Sequence, residues 1–127
     1  MAELHQHALE PGALRITHHP RPDGVVLIEA AGEVDLSTAP DLVDEVREAL
    51  DRSETKLCVL DLTAVTFLAS AGLAALTEAA RHAGRLHEPL RIVVDSNRPV
   101  IRPIELTGLD RILALYHSVD EALAAGG

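Results

Sequence analysis

The sequence predicts an α/β fold: a single domain on a mixed, mostly parallel sheet of about five strands, opened by an antiparallel hairpin and packed by about four helices. Three observations carry this expectation. Short aliphatic runs such as "VVLIEA", "KLCVLDL" and "LRIVVD" alternate with segments of helical periodicity. The first of these runs is preceded by "HPRPDG", whose prolines and Asp-Gly read as a tight turn after a shorter strand. The "KLCVLDL" run is apolar almost throughout, as a strand is when both faces of its sheet are covered.

Residues 1–12 are polar, carry "HQH" and end in Pro11-Gly12, which predicts a flexible N-terminal tail ahead of a domain spanning 13–125. "ALRITHH" reads as the first strand and "GVVLIEAAGEV", rich in β-branched residues, as the second. "DLSTAPDLVDEVREAL" reads as a helix capped by Thr38, with Asp41 as the acidic member of a capping box. Pro40 falls in its first turn, where a missing N–H is harmless. Leu42, Val43, Val46, Ala49 and Leu50 recur at helical spacing and predict one buried stripe. After the strand "KLCVLDL", a helix runs from Ser70 to about Ala83, with Gly84 as its terminator. "LRIVVD" is a further strand, "RPVIRPIELTGL" a short helix stopped by Gly108, and "ILALYH" a last strand. "SVDEALAA" closes the chain as a helix, with Ser118 as cap and Glu121 at the capping-box position. Crossovers between the parallel strands are expected to be right-handed. No internal repeat or second domain is legible.

Composition narrows the function. The 127 residues suit one core, and that core is aliphatic, because Phe67 and Tyr116 are the only aromatics. Two aromatics make no base-stacking platform, and a formal charge of −9 opposes phosphate backbones, so no direct nucleic-acid partner is expected. The same acidity suits a basic partner surface or plain solubility. Cys58 is the sole cysteine, which excludes an internal disulfide, and it reads as a small buried hydrophobe. The N-terminus lacks the basic-then-apolar pattern of a signal peptide, and no run approaches the ~20 apolar residues of a membrane span. A cytoplasmic protein with no membrane span is therefore expected. "HQH" and "HH" find no cluster to complete a metal site, and no strand-to-helix turn reads as a phosphate loop. No cofactor is expected.

The stretch "FLASAGLAAL" (67–76) sets one hydroxyl, Ser70, between alanines at the start of a helix. As an N-cap, its oxygen would accept the N–H of Leu73 or its neighbour, worth ~1 kcal/mol. As a strained nucleophile it would need Gly-x-Ser-x-Gly, and Leu68 holds the first glycine position. Of the seven histidines, only His117, at the end of the last strand, is placed to act as its base. As a covalent switch, Ser70 sits where free N–H groups and the helix dipole favour negative charge. On a helical wheel Leu73, Leu76, Ala80 and Ala83 face the core, while Ala71, Ala74, Ala75 and Glu78 lie toward solvent. A partner docked on that flat alanine face would be opposed by the roughly −1.5 to −2 charges of a phosphate.

Taken in order, the motifs resemble the STAS domain of bacterial anti-sigma factor antagonists across roughly residues 14–124. "GEVDLSTAPDL" is similar to the family's Gly-Glu-Leu-Asp segment, and "VLDLTAVTFLASAGLAAL" to its Asp-Leu-x-x-Val-x-Phe-hydrophobic-Asp-Ser-Ser-Gly-Leu block. "NRPVIRPIELTGLDRIL" resembles the segment whose short helix ends at Ser/Thr-Gly-Leu, and "YHSVDEAL" resembles the closing helix.

The resemblance implies that an ATP-binding partner, both anti-sigma factor and serine protein kinase, phosphorylates Ser70. The unmodified protein binds that partner and frees a sigma factor; the phosphorylated form is released. It also implies that Asp35, Leu36, Ser37 and Thr38 border a docking face shared with Ala69, Ser70, Ala71, Gly72, Ala74 and Ala75. The sequence departs from the pattern at Ala69, where the family has an acid, and at Ala71, where it has a second hydroxyl. An alternative is a STAS interaction or ligand-sensing module that is not phosphorylated, with Ser70 only capping its helix; a more remote one is a small serine hydrolase. Pairing as a homodimer is left open.

Overall fold

In the computed structural model, which describes residues 13–86 and 89–125, five strands form one sheet in the order β1-β2-β3-β4-β5. They are β1 (Arg15–Pro20), β2 (Val25–Val34), β3 (Leu57–Leu68), β4 (Arg91–Val93) and β5 (Ala114–Tyr116). β1 pairs antiparallel with β2, and the other pairs are parallel. The helices among the described residues are α1 (Ala39–Asp51), α2 (Ser70–Arg85), α3 (Arg98–Leu106) and α4 (Val119–Ala124). This is the mixed sheet with an opening hairpin that the sequence predicts. The segment 1–12, read as a tail, and His87 lie outside the described residues.

Each parallel connection steps to the adjoining strand, and α1, α2 and α3 pack on one face of the sheet. There Ile28, Leu60, Leu62 and Ile92 of the sheet meet Leu42, Val46, Leu76, Val100 and Ile104 of the helices, all fully buried. On the other face Val25, Leu27, Leu57, Val59, Val93 and Tyr116 pack with Val119, Ala122 and Leu123 of α4. Buried Arg91 donates from Nη1 to the Ala122 carbonyl at 2.7 Å, at the carboxyl end of α4 where a cation is favoured.

The turn chemistry works as read. Gly24, at φ +88°, donates to the Arg21 carbonyl at 3.2 Å and closes the hairpin. Gly108, at φ +76°, ends α3. Ser118 Oγ accepts the Glu121 amide at 3.0 Å, while the Glu121 carboxylate reaches the His117 amide at 2.8 Å rather than that of Ser118.

Several boundaries differ from expectation. β3 continues past Leu62 to Leu68, because register shifts between Glu29 and Ala31 and between Gly32 and Glu33 let it follow the long β2. β4 is three residues long, and β5 begins only at Ala114, since a 3-10 turn at Leu109–Arg111 takes up the chain before it. Gly84 does not terminate α2, which runs through it to Arg85 and is closed by Leu86, whose amide bonds the Ala83 carbonyl at 3.0 Å. In α1 the predicted stripe is buried at Leu42, Val46, Ala49 and Leu50, but Val43 is half-buried and faces α2.

Candidate functional site

β2 and β3 end together: their register sets Val34 opposite Leu68, and the Ala69 amide donates to the Val34 carbonyl at 2.9 Å. The loop Asp35–Thr38 before α1 and the start of α2 therefore leave the sheet side by side. This is the carboxyl end of the parallel strands, where α/β folds carry their sites.

Asp35 organises the first loop. Its Oδ1 accepts the amides of Ser37 and Thr38 and the Ser37 hydroxyl, each at 3.0 Å. The Ser37 hydroxyl, then the Thr38 amide and hydroxyl, hold the Asp35 carboxyl below the ordinary carboxylate range. Thr38 Oγ1 accepts the Asp35 amide at 2.9 Å and lies 2.9 Å from the Glu33 carbonyl. The expected capping box is thus not formed: Thr38 occupies the cap position of α1, but its hydroxyl is spent inside the loop and Asp41 is exposed. A loop so tied presents Leu36, 82% exposed, as a fixed apolar projection.

Ser70 is exposed, and it is not the cap of α2. Ala69 holds that position, and its carbonyl takes the amides of Gly72 at 2.8 Å and Leu73 at 3.1 Å. The predicted bond from the Ser70 oxygen to Leu73 is replaced by this backbone bond, because Ser70 already lies within the helix. Gly72 is buried rather than on a docking face. A Cβ there would lie 2.4 Å from Leu68 Cδ1 and 2.9 Å from Val34 Cγ1, so only glycine lets α2 start this close to the strand ends.

The alanine face also differs from the wheel. Ala74 and Glu78 are exposed as expected, Ala71 is half-buried and Ala75 is buried, since α1 packs along that side. On the core side Leu73, Leu76 and Ala83 are buried, Ala80 is half-buried, and Ala79 joins them. Between the helices runs a groove of about 350 Å³ lined by Leu36, Ala39, Pro40, Val43, Asp44, Ala71, Ala74, Ala75 and Glu78. Arg47 and Glu78 join α1 to α2 across it at 3.1 Å. Sequence reasoning does not find Pro40, Val43, Asp44 or Phe67. Helical spacing places Val43 in the core stripe, and Phe67, 49% exposed, stands opposite Glu33 at the end of β3.

The remaining candidates are placed elsewhere. His117 follows β5, two strands from β3. His18 and His19 bond Glu45 and Glu29, and His82 bonds Asp51. Among the described residues no three His, Cys, Asp or Glu side chains converge as metal ligands, and no helix is long and apolar enough to cross a membrane.

Comparison with known proteins agrees with this architecture. The family model of the STAS domain matches residues 18–122. Over 102 residues, 80% of each chain, the sequence is 35% identical to the anti-sigma-F factor antagonist RsfB of Mycobacterium tuberculosis. The crystal structure of an anti-sigma factor antagonist from Mycobacterium paratuberculosis is similar with a TM-score of 0.81 and 34% identity, covering 91% of this chain and 96% of that one. The Bacillus cell fate determinant SpoIIAA in its phosphorylated form, at 15% identity and a TM-score of 0.61 over 86% of this chain and 96% of that one, shares the fold.

Proposed function

This chain belongs to the STAS domain family, and from that membership we propose that it is an anti-sigma factor antagonist that docks on an anti-sigma factor with serine kinase activity. Docking uses the face around Ser70 and frees a sigma factor; phosphorylation of Ser70 by the partner ends it. The observation that carries the reading is the exposed Ser70 at the first residue of α2, followed by Ala71, which lines a groove together with exposed Leu36.

The chemistry asked of this chain is small. The partner holds the nucleotide; Ser70 Oγ attacks its terminal phosphorus, the bond to the departing ADP breaks, and the hydroxyl proton passes to a base on the partner. The dianion then sits at the first turn of α2, where the helix dipole favours it, so the fold tolerates the product. The docked partner does not, because burying that charge without a matched cation costs several kcal/mol.

Ala69 supports a second reading, constitutive docking without phosphorylation, since the acid that usually precedes the serine is absent. Incubation with the purified partner kinase and Mg-ATP, followed by mass spectrometry, separates the two. Phosphate on Ser70, lost in Ser70→Ala, is expected; a tight complex with no phosphate on Ser70 would favour the constitutive module.

A further inference from the structure

The groove between α1 and α2 has an apolar floor and an acidic rim, and from this we infer that it seats an amphipathic segment of the partner, one apolar side chain filling the groove and flanking Lys or Arg side chains meeting the rim. The inference rests on the proposed docking role for the partner's identity and on the groove alone for its chemistry.

Buried Ala39 and Ala75 and half-buried Val43 and Ala71 make the floor, with Pro40 and Ala74 on the banks. Such small side chains leave room for a large one from outside. Leu36 extends the apolar surface at the end near Ser70, and the Arg47–Glu78 ion pair closes the other. Charge decides the occupant. Among the described residues the groove lining carries two carboxylates, Asp44 and Glu78, and no cation; Arg47 pairs with Glu78, while Glu45, Glu48 and Asp51 of α1 pair with His18, Arg52 and His82. Asp44 lines the groove, and Asp41 is exposed on the same helix. An apolar segment flanked by acids would meet like charges along this rim; one flanked by bases meets opposite charge.

A basic occupant also fits the switch. Ser70 and Glu78 are eight residues apart on α2, about 12 Å along its axis. That exceeds the screening length of ~8 Å at physiological salt. Charge at the end of the groove closed by Arg47 and Glu78 therefore does little to neutralise a charge gained at Ser70.

The test uses two amphipathic helical peptides of identical leucine pattern, one with lysine and one with glutamate at every polar position, titrated into the isotopically labelled protein and followed by amide chemical shifts. The lysine peptide is expected to shift Leu36, Val43, Asp44, Ala71 and Ala74, and to weaken about tenfold in Asp44→Lys and in Leu36→Asp. Both substituted side chains are at the surface, and circular dichroism of each variant confirms its fold. Equal binding of the two peptides, or shifts confined to the α4 face, would overturn the inference. The kinase partner separates it from the docking role: if Ser70→Glu abolishes that complex while Asp44→Lys and Leu36→Asp leave it intact, the groove is not the seat and the switch stands.

Discussion

The Ala69 amide bonds the Val34 carbonyl at 2.9 Å, one residue before Ser70 and one residue before Asp35. This single contact extends the β2–β3 ladder to the point where both loops depart. It places a rigid Asx-type loop beside the first turn of α2, so the serine and the exposed Leu36 belong to one surface although 34 residues separate them in sequence.

Gly72 is the steric condition for that arrangement. Gly72→Ala would drive a methyl to 2.4 Å from Leu68 Cδ1 and 2.9 Å from Val34 Cγ1. The expected outcome is a loss of ~1–3 kcal/mol in urea unfolding. Partner affinity should also fall, because α2 must move off the strand ends; an unchanged midpoint would mean that Leu68 rotates away freely.

Asn97 holds the irregular part of β3. Its Nδ2 donates to the Leu62 and Val65 carbonyls, both at 2.8 Å, past the point where the pairing of β3 with β4 ends at Asp61. Asn97→Ala is expected to cost ~1–3 kcal/mol. Asn97→Asp should cost more, since a carboxylate offers no donor and faces two carbonyl oxygens; chemical denaturation of the pair checks the order.

Acid should loosen the Asp35 loop. The folded carboxyl titrates below its ordinary value of 3.8, chiefly through the Ser37 hydroxyl and then the Thr38 amide and hydroxyl. A depressed carboxylate stabilises the fold above its unfolded pKa, and that contribution is lost as pH falls through the folded one. An NMR titration should therefore give Asp35 a midpoint under 3.8, and Asp35→Asn should reduce the acid-side loss of stability.

Cys58 reports on opening of the core. It is fully buried, and burial pushes its thiol up to about 12. An aromatic disulfide reagent at about pH 8 should leave the native protein unlabelled and react promptly once urea unfolds it. Fast labelling of the native state would contradict the packing of β3.

Much of this was legible in the residues, and the failures have physical causes. Hairpin, buried strands and the Gly108 and Ser118 helix ends rest on local chemistry, and each forms. The reading stops β3 at Leu62 because buried Leu62, Val65 and Leu68 recur at every third residue, a spacing of neither strand nor helix that a bulged pairing produces. A helical wheel finds the core direction of α2 but not the neighbour along its flank, so it sets Ala75 in solvent where α1 covers it. Local sequence predicts Thr38 and Ser70 as caps; neither hydroxyl caps its helix, because Asp35 engages Thr38 and the Ala69 carbonyl takes the Leu73 amide. The adjacency of Asp35 and Ser70 came only through the family resemblance, since the Val34–Leu68 register behind it is long-range.

The most direct test of the account is calorimetric: titrate the proposed partner, an anti-sigma factor kinase, with the unmodified protein and with protein phosphorylated fully on Ser70. The account predicts an affinity at least about tenfold weaker for the phosphorylated form, with Ser70→Glu moving the same way and Ser70→Ala binding like the unmodified protein. Equal affinities for the two forms would contradict it.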